Sequence, residues 1–129
     1  MKKVFKIALI SVAVIIFISV VVTVWMAMGL NDIQAMVINE VDINGMQDGT
    51  YAGNFDGRRW SNELEVEIEG QKITSIKIVN DIKFPMEGIA EKVFNQVIEE
   101  QSTAVDVISG ATVTSKAYLK SIENALLLR

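Results

Sequence analysis

The chain has 129 residues, of which 50% are hydrophobic and 22% charged, and its formal net charge is −4. It contains neither cysteine nor histidine, which excludes disulfides, cysteine-bound metal clusters and histidine-based acid–base catalysis. Beyond three N-terminal lysines, the sequence carries 9 basic and 16 acidic residues, which excludes nucleic-acid binding through phosphate neutralisation. Any redox or catalytic role therefore requires carboxylates or an organic cofactor.

The N-terminal segment has the length and polarity of a membrane anchor. The uncharged run Ala8–Leu30 corresponds to about 34 Å of helix, enough to cross a hydrocarbon core of about 30 Å. Lys2, Lys3 and Lys6 precede the run and acidic residues follow it, so the positive-inside bias places the N-terminus in the cytoplasm. Residues 1–30 are predicted to comprise the cytoplasmic lysines and a single-pass transmembrane anchor in the cell membrane, with the remainder outside the cytoplasm.

A cleaved signal peptide is the competing interpretation of this segment. Ala27–Gly29 loosely fits a small-x-small cleavage site, but the apolar run exceeds the roughly 7–15 residues of a signal-peptide core. We therefore favour an uncleaved anchor, and either interpretation delivers the domain to the same side of the membrane.

The exported part divides into a stalk and a folded domain. Residues 31–48 are predicted to form a short helix or stalk leading away from the membrane. Its apolar residues are spaced for one helical stripe, namely Ile33, Met36, Val37 and Val41. Residues 49–129 are predicted to form the folded domain, whose core is small.

Three strands are predicted at the start of this domain. Tyr51–Phe55 is the first, and Glu63–Glu69 alternates strictly between acidic and apolar residues, as a half-buried strand does. Gly70-Gln71 provides a tight turn, after which Lys72–Asn80 returns. The residues expected to face inward are Leu64, Val66, Ile68, Ile76 and Ile78.

Two helices follow the strands, over residues 87–100 and 114–127, because apolar residues recur there at helical spacing. Val105 and Val107 indicate a short extended piece between them. Strands followed by helices, without alternating βαβ units, predict an α+β fold: a small antiparallel sheet packed with helices, preceded by the transmembrane helix.

The segment that carries chemistry is DVISGATVTSK, residues 106–116. Four hydroxyls and two very small residues lie at the start of the last predicted helix, where Ser and Thr are ordinary helix caps. The same position suits a phosphate, because a helix N-terminus offers unpaired N–H groups and the positive end of its dipole. A P-loop is excluded, since Ser115 rather than glycine precedes Lys116.

The run Asp-x-x-Ser-Gly-Ala-Thr at residues 106–112 resembles the flavinylation motif of the FMN-binding domain family. That family includes the flavin-carrying subunits of sodium-pumping quinone reductases and of related ferredoxin-linked ion pumps. Residues 48–53 resemble its opening strand, 71–78 its second hairpin strand, and 105–127 its closing segment. The resemblance thus covers most of the predicted domain.

The resemblance implies that a separate flavin transferase joins FMN through its phosphate to the hydroxyl of Thr112, with Thr114 as the second choice. Asp106 matches the acidic position that the transferase is implied to recognise, although a solvated acid beside a turn is the plainer interpretation. Some members of the family hold FMN without a covalent bond. The expected cofactor-binding residues are Asp106, Ser109, Gly110, Ala111, Thr112, Thr114 and Ser115.

The sequence departs from many relatives in the brief segment Asp81–Gly88, which leaves open which residues cover the isoalloxazine ring. Trp60, Phe84 and Met86 could stack on it, although such residues more often belong to a core. The pair Arg58-Arg59 could bind a phosphate or an acidic partner, although it is usually part of a solvated loop.

The leading hypothesis is a membrane-anchored, extracytoplasmic flavoprotein that carries electrons through FMN, as a subunit or carrier rather than a stand-alone catalyst. Its expected partners are the flavin transferase, the membrane, and membrane or exported redox proteins, and not nucleic acid. The alternative is a non-redox, membrane-tethered binding module in which the hydroxyls only cap a helix. A hydrolase is disfavoured, because the acidic residues of 63–69 are better explained as the wet face of a strand.

Overall fold

The computed structural model describes residues 1–127. The elements in chain order are α1 (Lys2–Ala27), α2 (Leu30–Ala35), β1 (Gly49–Phe55), β2 (Asn62–Glu69), β3 (Lys72–Asn80), α3 (Ile89–Glu100) and α4 (Thr112–Leu127), with a 3-10 turn at Arg58–Trp60 before β2. The three strands form one antiparallel sheet, so the predicted α+β class is confirmed. Residues 128–129 of the predicted domain lie outside the described range.

Helix α1 stands apart from the rest of the molecule. Its 26 residues include no buried side chain, and its length at 1.5 Å per residue is about 39 Å. Within residues 1–127 it is the one helix long and apolar enough to cross a membrane. It is therefore compatible with a single-pass anchor.

The sheet follows the alternation seen in the sequence. Leu64, Val66 and Ile68 of β2 are fully buried, as predicted. Both residues of the turn Gly70-Gln71 have positive φ, 58° and 61°, which is the geometry of a type I′ hairpin turn.

The inward face of β3 differs in part from the prediction. A register shift between Glu67 and Ile68 pairs Ile68 with Ile73. Ile73 is consequently buried, whereas the predicted inward residues Ile76 and Ile78 are only half-buried.

The helices α3 and α4 complete the core. Helix α4 packs across β1 and β2, and Phe94 of α3 meets Tyr118 of α4 edge to face, with ring centroids 5.6 Å apart. The close approach requires Gly53, because a Cβ there would stand 2.6 Å from the backbone nitrogen of Ala125. The side chains of α4 that are buried in the core include Tyr118, Leu119, Ile122, Ala125 and Leu126.

Part of the predicted stalk belongs to this core. Ile33, Val41 and Met46 are buried, so the folded unit includes residues ahead of position 49. The predicted helical stripe is wrong at Val37, which is 70% exposed. Helix α2 ends at Ala35, so no helical periodicity relates the residues beyond it.

Side chains of the domain form hydrogen bonds with the backbone of residues 34–39. Lys116 Nζ donates to the carbonyls of Gln34 and Met36, at 2.6 and 2.9 Å. The buried carboxylate of Glu123 accepts from the Asn39 N–H at 3.1 Å and pairs with Lys120 Nζ. The expected extended piece at Val105 and Val107 forms no strand in the described sheet.

Candidate functional site

The predicted motif forms a tight turn that leads directly into α4. The Ala111 N–H donates to the Ile108 carbonyl at 2.9 Å, and Gly110 has a φ of 80°, a left-handed conformation that glycine adopts without the steric cost of a Cβ. Thr112 is the first residue of the helix. Glycine at position 110 therefore allows this turn to form without backbone strain.

Ser115 fixes this turn to the helix. Its side chain is fully buried, and its Oγ accepts the N–H of Ile108 at 3.1 Å. Its own N–H donates to the Ala111 carbonyl at 2.9 Å. Ser115 thus bonds within the protein and does not line the cleft described next, so its described contacts are structural.

A cleft of about 480 Å³ lies beside the start of α4. This volume is within the 300–1,000 Å³ of typical ligand sites. One wall, the motif wall, consists of residues 110–114. The backbone N–H groups in the first turn of a helix have no acceptor within the helix. They therefore give this wall hydrogen-bond donors and the positive end of the helix dipole. The other lining residues are Leu30, Arg59, Trp60, Phe84 and Met86.

The two threonines of the motif wall differ in access. Thr112 is half-buried, whereas Thr114 is only 6% exposed. The Thr114 hydroxyl also donates a long hydrogen bond to the sulfur of Met86, at 4.0 Å. A large partner can therefore reach the hydroxyl of Thr112 more easily than that of Thr114.

Phe84 and Met86 form the facing wall, the loop wall, which lies between β3 and α3. They are 52% and 46% exposed, so they are not core residues. Both belong to the short segment Asp81–Gly88, for which the sequence alone does not decide the contacts to the flavin ring. The structure brings both side chains to the same cleft as the motif.

Arg59 lines this cleft and carries an unmatched hydrogen-bond donor. Its guanidinium carbon lies 4.1 Å from the ring centroid of Trp60, a cation–π geometry. Its Nε is buried and has no hydrogen-bond partner among the described residues. A buried donor without a partner is costly.

Of the remaining predicted residues, Trp60 lines the cleft, whereas Asp106, Ser109 and Arg58 do not. Asp106 and Ser109 are exposed and are not among the lining residues. Trp60 is only 5% exposed and contributes a floor more than a free stacking face. Arg58 does not line the cleft either, since its side chain lies against Gly29.

Leu30 and Val113 line the cleft and are absent from the predicted site. Leu30 is the last residue of the predicted anchor, and its local sequence does not distinguish it from the apolar run before it. Val113 lies within the motif, and the helical start at Thr112 would have indicated its place in the first turn.

A buried tyrosine holds Asp81, at the start of the segment that carries the loop wall. The Tyr118 hydroxyl donates to Asp81 Oδ1 at 2.6 Å, and the same oxygen accepts the Ile82 N–H at 2.7 Å. Burial raises the pKa of Tyr118 above its ordinary value, and the hydrogen bond to Asp81 and the charge of Asp81 raise it further. Tyr118 therefore stays a neutral donor at physiological pH.

The cleft fits the chemistry of FMN. It combines helix N–H donors for a phosphate, the positive charge of Arg59, and exposed Phe84 and Met86 side chains. An aromatic ring and a thioether are both suited to contact a flat aromatic ligand.

Comparison with known proteins gives the same ligand. Residues 60–127 match the family described as FMN-binding domain, which is more than half of the chain. The chain is 35% identical over 74 residues, 54% of its length, to an NADH:acrylate oxidoreductase of Vibrio harveyi. It is 32% identical over 87 residues, 63% of its length, to an uncharacterized protein of Treponema pallidum (strain Nichols). The matches span only 7% and 23% of those curated relatives.

Proposed function

This chain belongs to the FMN-binding domain family, and on that premise we propose that it is a membrane-anchored electron carrier whose FMN is joined by a phosphoester to Thr112. The observation that carries the proposal is the position of Thr112, at the first turn of α4 and in the wall of the cleft. When bound, FMN supplies one- and two-electron transfer.

The motif wall provides what attachment requires. The Thr112 hydroxyl loses its proton and forms an ester with phosphorus, while the pyrophosphate bond of an activated flavin donor breaks and its nucleotide phosphate leaves. A flavin transferase supplies the catalysis, and the half-buried position of Thr112 gives it access. Helix N–H groups then stabilise the phosphate charge.

Other residues of the cleft hold the rest of the cofactor. Arg59 lines the cleft and would place its positive charge near the cofactor. Phe84 and Met86 would cover the ring, and their exposure would leave it accessible to redox partners. No side chain needs to act as acid or base, which agrees with a sequence free of histidine and cysteine.

The anchor sets the compartment. Lys2, Lys3 and Lys6 precede the apolar length of α1, and the positive-inside bias then orients the domain away from the cytoplasm. A covalent cofactor suits that side, since a dissociated flavin would be lost. The redox partners are then membrane or exported proteins.

The attachment is tested by co-expressing the full chain with a flavin transferase and measuring its mass and visible spectrum. We expect a mass increase of one FMN less water and flavin absorbance that survives denaturation. Both should disappear in Thr112→Val and persist in Ser109→Ala, the matched hydroxyl outside the cleft.

Other results would revise the proposal in defined ways. Loss in Thr114→Val alone would move the attachment to the second threonine. Flavin released by denaturation would identify a non-covalent FMN binder. A chain that binds no flavin in any form would contradict the proposal and favour the tethered binding module.

The topology is tested separately, because the chain has no cysteine and a single introduced cysteine is a unique label site. In spheroplasts, an impermeant maleimide should label Ser75→Cys and should not label Val4→Cys until the membrane is permeabilised. The reverse pattern would contradict the orientation. A mature mass lacking residues 1–29 would identify a cleaved signal peptide instead.

A further inference from the structure

Three of the basic residues in the acidic domain gather where α1 ends. Lys83 Nζ lies 4.9 Å from the ring centroid of Trp25. The Arg58 side chain lies against Gly29, with its Cδ 3.4 Å from where a Cβ at that position would stand. The Lys83 N–H donates to the Arg59 carbonyl at 2.9 Å, so a backbone hydrogen bond joins the segments that carry Lys83 and Arg59. Arg58 and Lys83 are exposed at this end of the domain, where Asp32, Asp56 and Asp81 also lie.

These cations form no close ion pair within the described residues. Within residues 1–127, the one ion pair closer than 4.0 Å joins Lys120 to Glu123, on α4. Asp32 and Asp56 share a depression with Arg58, yet neither carboxylate pairs with it at that distance. The cations are consequently available to an external anionic surface.

Exposed apolar side chains accompany the charge. Phe84 follows Lys83 directly and is 52% exposed, and Trp25 and Met28 at the end of α1 are 47% and 42% exposed. Aromatic and basic side chains together are typical of the membrane–water interface, where rings occupy the headgroup level and cations contact lipid phosphates. The apolar surface of α1 runs directly into this patch, so the bilayer that holds α1 is its natural neighbour.

We propose that Arg58, Lys83 and Phe84, here called the membrane collar, dock the domain on anionic phospholipid headgroups beside its own anchor. Phe84 also lines the cleft, so docking puts the mouth of the cleft at the bilayer surface. This inference rests on the proposed membrane anchor but not on covalent flavin attachment.

The opposite end of the sheet should then face water. The β2–β3 turn lies eight residues of β2 away from the collar end, about 25 Å at 3.3 Å per residue. Glu67, Glu69 and Asp48 are exposed near that turn and outnumber the exposed Lys72, so an anionic surface would repel this end if the domain lay on its side. The charge asymmetry along the sheet therefore favours the upright, collar-down orientation.

The test measures the depth of two positions in the full-length protein. Pro85→Cys, in the collar loop, and Ser75→Cys, near the distal turn, each receive an environment-sensitive fluorophore, and the protein is placed in nanodiscs of phosphatidylcholine with or without phosphatidylglycerol. With the anionic lipid, we expect blue-shifted emission at position 85 and strong quenching by a headgroup-attached quencher. Position 75 should behave as water-exposed in both.

Charge-neutralising variants give the expected size of the effect. Arg58→Gln with Lys83→Gln should shift the docked-to-undocked ratio by about 30-fold in anionic nanodiscs, from about 1 kcal/mol per cation, and 0.5 M salt should act in the same direction. Lys72→Gln with Lys77→Gln, which removes two exposed lysines of β3, is the matched control and should change nothing.

The inference is overturned if position 85 is no more quenched than position 75, which would leave this face to a protein partner. It is also overturned if quenching at position 85 is the same with and without anionic lipid and in the Arg58/Lys83 variant. Membrane integration and flavin loading are measured on the same samples. Failure of docking in an integrated, flavin-loaded protein therefore leaves the proposed function intact.

Discussion

The two walls of the cleft differ in how firmly the core holds them. The motif wall is backbone and small side chains at the start of α4, and Ser115 beneath it is fully buried. The loop wall presents Phe84 and Met86, both about half exposed, on a segment attached to the core mainly through Asp81 and Ile82. Under the proposed function, the motif wall would therefore hold the attachment point and the more exposed loop wall would surround the ring.

The largest expected effect comes from breaking the support of the motif wall. In Gly53→Ala the new methyl would overlap the backbone of α4 at Ser121 and Ala125, and backbone cannot yield as a side chain does. We expect a loss of about 3 kcal/mol or more in the free energy of unfolding, measured by urea denaturation, together with loss of flavin loading.

Gly45→Ala is the matched control for this substitution. Position 45 has a φ of 79° and no atom within 4 Å of a Cβ, so only backbone strain of about 1 kcal/mol is expected. Equal costs at the two positions would show that α4 is not seated against β1 as described.

A smaller effect should follow from loosening the turn within the same wall. Ser115→Ala removes the acceptor of the Ile108 N–H and leaves a part-buried donor unmatched, at a cost of about 2 kcal/mol. The rate of flavin attachment should fall with it, because Thr112 loses its fixed turn. Ser109→Ala, at an exposed position of the same turn, should alter neither the free energy of unfolding nor the rate of flavin attachment. A similar loss in Ser109→Ala would contradict the inference that the Ser115 hydrogen bond fixes the turn.

The sequence predicted the regular elements of the fold well, because their apolar residues are strictly periodic. The alternation in β2 and the helical spacing in α3 and α4 located these elements to within two residues. The segment 31–48 was harder, since Val41 and Met46 reach the core from an irregular backbone that has no period to detect. Gly53 likewise gave no signal, because its role depends on a helix more than 60 residues later.

The motif wall was more firmly predictable than the other side of the cleft, for which the sequence offered only candidate residues. The motif wall is contiguous in sequence, so the resemblance and the helix start both indicated it. The loop wall and Arg59 converge on it from distant positions, and only the folded chain shows that Arg59 lines the cleft whereas Arg58 does not. The burial of Arg59 Nε is a tertiary property that an adjacent Arg-Arg pair does not reveal.

The loop wall should respond to removal of the Tyr118 hydroxyl. Tyr118→Phe loses the hydrogen bond to Asp81, and because Asp81 is exposed and can bind water instead, the expected loss is about 1 kcal/mol. Tyr51→Phe is the control, since the Tyr51 hydroxyl also donates, to the Gln47 carbonyl at 2.7 Å, but away from the cleft.

The pH dependence of stability gives this prediction a second readout. The folded-state pKa of Tyr118 is raised, so its contribution is fully present below the unfolded pKa near 10 and declines as pH rises above it. Wild type should therefore lose stability between about pH 10 and 11.5 more steeply than Tyr118→Phe. Parallel curves would contradict the buried, Asp81-bonded tyrosine.

The smallest change in stability, and the sharpest test of the comparison, is Phe84→Ala. Because Phe84 is about half exposed, its truncation should change the free energy of unfolding by no more than about 0.5 kcal/mol. If the loop wall covers the ring, flavin attached to this variant should be quenched more readily by iodide than in wild type, while its covalent loading stays unchanged. Val79→Ala removes a side chain of similar exposure from β3 and should leave iodide quenching as in wild type. Equal quenching in all three proteins would mean that the ring lies away from Phe84, and the rigid motif wall alone would then have to position the cofactor.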